Sequence, residues 1–157
     1  NGTLLLGTWI GFKDLFHAGL IEKLPHIFGV QTKNCAPLHQ MFQEKSSHLP
    51  KIESIPSLAE GIAIAEPVRA KQILQAIQET NGAIVAVSEQ EIKTSLISIH
   101  RQGFYIEPTA VASIAAIPNL LQTNPEISDW ISVFTGHGLK STEKIISIYE
   151  STQQKTQ

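Results

Sequence analysis

Strands alternating with helices predict an α/β fold, with a mostly parallel sheet and helices on both faces. Three observations carry this. The 157 residues are about one domain in length, 42% apolar and 17% charged, which fits a globular chain with one core. The clearest strand, Ala83-Ile84-Val85-Ala86-Val87, is apolar at every position, as a strand covered on both faces must be. It passes at once into Ser88-x-x-Glu91, the signature of a helix start.

The elements follow in order. Leu5, Trp9, Phe12, Phe16 and Leu20 recur at helical spacing and predict a helix over 3–19, with Gly19 as its stop. Residues 26–31 read as a short buried strand. Asn34 is a candidate cap for a helix through about Gln43, carrying Leu38, Met41 and Phe42. Residues 45–60, with Pro50 and Pro56, read as a polar loop, and 45–66 is the least patterned stretch. Pro67 suits the first turn of a helix to about Thr80, ended by Asn81-Gly82. After strand 83–87, a helix covers about 89–102 and Gly103 ends it. Phe104-Tyr105-Ile106 reads as a strand, and Pro108 opens an Ala- and Ile-rich helix to about Gln122. Asp129–Phe134 reads as the last strand. A short helix is expected over 141–150, with 151–157 a frayed tail after a domain of 1–150. No internal repeat is visible.

Composition excludes several classes. The net charge is −2 and the 12 basic residues are scattered, so no nucleic-acid partner is expected. No apolar run approaches the roughly 20 residues that span a bilayer, so no membrane partner is expected. Cys35 is the single cysteine, which excludes an internal disulfide framework and fits a reducing, cytoplasmic setting.

In a parallel α/β sheet, ligands sit beyond the carboxyl ends of the strands. Glu107-Pro108-Thr109 follows one expected strand, and Thr135-Gly136-His137-Gly138-Leu139-Lys140 follows another. Asn1-Gly2-Thr3 opens directly into Leu4-Leu5-Leu6, so this turn is either a plain helix cap or an anion pocket built from backbone N–H groups. Two glycines flanking His137 would let backbone approach a ligand; a tight, solvated turn is the alternative. His137 is a candidate acid or base without an evident partner. His17, His26, His39, His48 and His100 show no metal-ligand spacing, so no metal site is expected. Cys35 reads as a buried structural thiol. Glu60 and Glu107 are candidate acids, with solvent-facing or capping roles as the bland reading.

In combination these motifs are more specific. Asn1-Gly2-Thr3-Leu4 leading to Trp9-Ile10-Gly11-Phe12-Lys13 resembles the phosphate-loop helix of threonine synthases. Gly29-Val30-Gln31 with Asn34-Cys35-Ala36-Pro37-Leu38, then Leu58-Ala59-Glu60-Gly61-Ile62-Ala63, Gly103–Thr109 and Phe134–Lys140 resemble the same family in the same order. The resemblance covers nearly the whole chain. It implies the C-terminal part of the larger lobe of a pyridoxal-phosphate (PLP) enzyme of the tryptophan-synthase-β fold type. Asn1, Gly2, Thr3 and Leu4 would then contribute to the phosphate cup, and Thr135 would hydrogen-bond the pyridine nitrogen. Glu60-Gly61 would approach the ring, although Glu60 departs from the Thr that some threonine synthases carry there.

The resemblance also implies what to expect elsewhere. The Schiff-base lysine of the family would lie upstream, as would the loop that grips the substrate carboxylate. No catalytic residue is therefore expected within this chain. The intact protein would be a PLP-dependent carbon–oxygen lyase, converting O-phosphohomoserine and water to threonine and phosphate. The fragment would be inactive and would bind PLP weakly or not at all. An ammonia-lyase or β-replacement enzyme on serine or threonine is the alternative reaction. A non-catalytic α/β module acting through a partner chain is the alternative class. A small amino-acid substrate, a homodimer, or pairing with an N-terminal half are the expected partners.

Overall fold

The computed structural model describes residues 1–153. The elements are α1 (Thr3–His17), β1 (Gly29–Thr32), α2 (Pro37–Gln43), a 3-10 turn (Glu60–Ile62), α3 (Ala70–Glu79), β2 (Ile84–Val87), α4 (Glu89–Arg101), α5 (Pro108–Thr123), a second 3-10 turn (Gly138–Ser141) and α6 (Thr142–Gln153). Strands β1 and β2 pair in parallel, with Gly29 opposite Ile84 and Thr32 opposite Val87. The α/β class, the parallel pairing and the helices on both faces agree with the sequence.

Alternation along the strands sorts the core into two halves. Ile84 packs with Leu6, Leu38, Met41, Ile73 and Ile77, from α1, α2 and α3. Val85 and Val87 point the other way, toward Ile92, Leu96, Val111, Ala116, Ile145 and Ile148 of α4, α5 and α6. Alanines at 110, 112, 115 and 116 of α5 are buried, and α4 and α5 pack closely together. The Ser88 cap forms as the sequence predicts. Its hydroxyl accepts from the Glu91 N–H, and the Glu91 carboxylate accepts from the Ser88 N–H.

Several boundaries differ. Asn34 does not cap α2; its side chain donates to the Pro56 carbonyl, and the helix starts at Pro37 after Ala36. Helix α3 starts at Ala70, with Pro67 in the preceding turn. Phe104–Ile106 is not a strand. Local bonds from Phe104 N–H to the Ile99 carbonyl, and from Ile106 N–H to the Phe104 carbonyl, hold it as a turn with one antiparallel bridge, Ile106 to His137. Asp129–Phe134 does not form a strand either. Among the described residues no strand pairs with it, and Ile131 is 94% exposed. Ser151–Gln153 form the last turn of α6 rather than a frayed tail, and the rest of that tail lies outside the described residues.

Candidate cofactor site

The contacts orient the candidate residues relative to the sheet. Arg69 and Ile73, at the start of α3, meet Thr3 and Gly2 at the start of α1. At the far end of α3, Glu79 accepts from Trp9 Nε1 at 3.2 Å and pairs with Lys13 at 3.0 Å. The two helices are therefore parallel. Because α3 turns back through Thr80–Ala83 into β2, the α1 N-terminus points the way the strands run. Gly2 caps it in the left-handed region, at φ 69°, a conformation that favours glycine.

No side chain caps α1, and its first turn carries no acidic residue. Its opening N–H groups are thus left without a side-chain acceptor, at the positive end of the helix dipole. Arg69 Nη1 lies 3.5 Å from the Thr3 hydroxyl and adds positive charge beside it. These donors suit a phosphate.

Thr135 comes from the opposite face of the sheet. The Trp130 ring packs at a tilt against Phe28, just ahead of β1, with ring centroids 5.0 Å apart. Ser132 meets Ser113 on α5 at 2.7 Å, and the Gly136 carbonyl accepts from the Glu107 N–H at the head of α5. Residues 130–136 therefore run beside α5 in the opposite sense. Gly61 N–H donates to the Thr109 hydroxyl at 3.3 Å, and nearby Leu58 N–H donates to Glu89 just beyond β2. The head of α5, and Thr135 with it, thus lies toward the carboxyl ends of the strands. Thr135 is exposed, and its hydroxyl has no partner among the described residues.

The turn after Thr135 is held from within the chain. The Glu107 carboxylate fills the space where Gly136 would carry a Cβ, and it pairs with Lys140 at 3.4 Å. The Tyr105 ring occupies the corresponding space at Gly138, 2.8 Å from the site of a Cβ. The two glycines therefore admit neighbouring side chains of the same chain. His137 Nδ1 accepts from the Leu139 N–H, capping the 3-10 turn, and its ring meets Tyr105 edge-on.

Glu107 holds the N-cap position of α5, but its side chain makes no capping hydrogen bond and, at 13% exposed, does not face solvent. Glu60 is 75% exposed and pairs with Lys144. Cys35 is fully buried in the tight turn after β1. No group of three potential metal ligands occurs among the described residues, nor does any helix there suffice to cross a membrane. Two shallow grooves of about 460 and 470 Å³ lie along α4 and beside the start of α3, and neither is lined by Asn1–Leu4 or Thr135. The carboxylate of Glu89, an anchor for residues 57–59, is the feature that sequence reasoning missed. Its only signal was an acid at the first position of a capped helix.

A family profile for pyridoxal-phosphate dependent enzymes matches residues 1–136, a span that includes both Asn1–Leu4 and Thr135. The chain belongs to this family. Its cofactor is PLP, as the motif order implies. The threonine synthase of Methanocaldococcus jannaschii is 30% identical over 153 residues, 96% of this chain and 38% of that protein. The threonine synthase of Mycobacterium tuberculosis strain H37Rv is 30% identical over 146 residues, covering 91% and 38%. Chloroplastic threonine synthase 2 of Arabidopsis thaliana is 24% identical over 152 residues, covering 92% and 29%. The chain thus spans about two-fifths or less of the length of these relatives. The crystal structure of a threonine deaminase from T.th. superposes with a TM-score of 0.55 at 18% identity, over 76% of this chain and 42% of that one, a likeness of fold.

Proposed function

We propose that this chain is the C-terminal portion of a threonine-synthase-like PLP enzyme. The intact protein would convert O-phosphohomoserine and water to threonine and phosphate. The observation that carries this reading is the 30% identity to a named threonine synthase across 96% of the chain. The site geometry supports it.

In this reading the first-turn N–H groups of α1, around Asn1, Gly2, Thr3 and Leu4, hold the cofactor phosphate, with Arg69 adding charge. The Thr135 hydroxyl meets the pyridine nitrogen. A neutral hydroxyl can donate there without forcing the nitrogen to carry a proton, whereas a carboxylate would stabilise the protonated ring. Glu107 and Lys140 hold the turn that presents Thr135. The bound cofactor supplies an electron sink for chemistry at the substrate's carbon atoms.

None of the ten lysines serves as the cofactor's covalent partner in this proposal. Lys140, nearest to Thr135, is engaged by Glu107, and Lys144 by Glu60. The chain alone is therefore inactive. Exposed Ile131, Val133 and Leu139 beside the Thr135 turn support pairing with further polypeptide or a second copy. The test is phosphate and threonine formation from O-phosphohomoserine by the full-length protein, run beside the 157-residue chain. Ammonia release from threonine or serine, without phosphate release, would replace this reading with the ammonia-lyase one. Turnover by the isolated chain would overturn its proposed inactivity.

A further inference from the structure

Glu89 is the first residue of α4, a place where an acid ordinarily faces solvent and complements the helix dipole. Here the carboxylate is half-buried and turned inward. Its Oε1 accepts from the hydroxyls of Thr32, at 2.9 Å, and Ser57, at 2.6 Å, and its Oε2 accepts from the Leu58 N–H at 2.6 Å. Thr32 is fully buried at the end of β1, and Ser57 is 8% exposed. Both hydroxyl oxygens are themselves acceptors, Thr32 from the Asn34 N–H and Ser57 from the Ala59 N–H. One carboxylate therefore joins the end of β1, the start of α4 and a loop 31 residues away in sequence.

The residues just past Ser57 carry the effect of this anchor to the rest of the fold. Ala59, two positions on, is fully buried in the core around α5. Gly61 then donates to Thr109, and a Cβ there would lie 2.9 Å from the Thr109 methyl. Two residues before Thr109, Glu107 holds Gly136, the neighbour of Thr135. We propose that Glu89 is a positioning residue. Its carboxylate fixes residues 57–62 at the carboxyl ends of the strands, so that Gly61 braces the head of α5 and, through Glu107, the turn that carries Thr135. The importance of that turn rests on the cofactor reading above; the brace itself does not.

The test is nuclear magnetic resonance of the 157-residue chain without cofactor, comparing E89A, E89Q and S57A with the parent. In E89A the Leu58 amide should exchange at least tenfold faster, because its half-buried N–H loses a charged acceptor, and the Ala59 amide should follow, because the Ser57 hydroxyl that accepts from it loses its bond to Glu89. Resonances of Gly61, Thr109 and Gly136 should shift, while those of Ile73 and Ile77 in α3 stay in place. E89Q keeps the length and one acceptor oxygen and should restore part of both effects. Changes confined to residues 57–59, or none at all, would overturn the proposal. If E89A does not fold, E89Q and S57A carry the same reading. Loss of a dispersed spectrum in all three would make Glu89 a folding residue and overturn the positioning role. The cofactor reading is judged separately by phosphate release from the full-length protein, so the two can fail independently.

Discussion

Replacing Gly136 with Ala tests the turn most directly. An alanine Cβ would overlap the Glu107 carboxylate and lie 2.8 Å from its Cγ. Carbon atoms pack at about 3.5–4.0 Å, so the Glu107 side chain must retreat by roughly 1 Å at Cγ and further at its carboxylate. The backbone cannot open to make room, because the Glu107 N–H donates to the Gly136 carbonyl at 3.0 Å. Retreat also breaks the contact with Lys140, itself 64% exposed and worth at most about 1 kcal/mol. With overpacking at about 1–3 kcal/mol, Gly136→Ala should cost about 2 kcal/mol. Glu107→Ala removes the obstacle, so the double variant should be more stable than additivity predicts by about 1 kcal/mol or more. Urea unfolding of the 157-residue chain, followed by far-ultraviolet circular dichroism, measures all four corners of the cycle. Costs that add within about 0.5 kcal/mol would refute the idea that Glu107 occupies the Gly136 space.

Three further outcomes are expected. Gly82→Ala should cost about 3 kcal/mol or more in the same unfolding assay, because its Cβ would overlap the Ile27 carbonyl oxygen, a backbone atom that cannot swing aside. Ser88→Ala should cost about 1 kcal/mol and flatten the acid limb of stability. The Ser88 hydroxyl, then the Ser88 N–H and Lys33, hold the Glu91 pKa below its ordinary value. This stabilisation is complete above about pH 4.3, the unfolded value, and is lost as pH falls through the lower folded value. Thermal midpoints taken between about pH 3 and 6 would show the parent losing more stability than the variant. Thr135→Val should leave stability within about 0.5 kcal/mol, since the exposed hydroxyl has no partner among the described residues, yet weaken cofactor binding by the full-length protein about tenfold, read by cofactor absorbance.

Legibility in the sequence followed the range of the interactions. The α4 start was readable because Ser88 and Glu91 are three residues apart and cap each other. Strand β2 was readable because all its residues are apolar. The supposed strands at 104–106 and 129–134 had the right composition, but a strand exists only with a neighbour to complete its ladder. The nearest acceptors for Phe104 and Ile106 proved to be local carbonyls, and residues 129–134 have no described strand beside them. Asn34 looked like a helix cap because its type favours one; the Pro56 carbonyl, 22 residues away, took its side chain instead.

Local pattern was enough for the α/β class, the capped start of α4 and, through the order of the motifs, the family to which the chain belongs. Periodicity, capping and motif spacing all act over a few residues, so they survive in a linear text. The roles of Glu89 and Glu107 emerge only in the folded chain. Each is an isolated carboxylate in sequence, and each reaches its hydrogen-bond partners across 31 or more residues. Folding also altered the meaning of Gly136 and Gly138. Their missing side chains make room for Glu107 and Tyr105, a requirement set by distant residues that come together only when the chain folds.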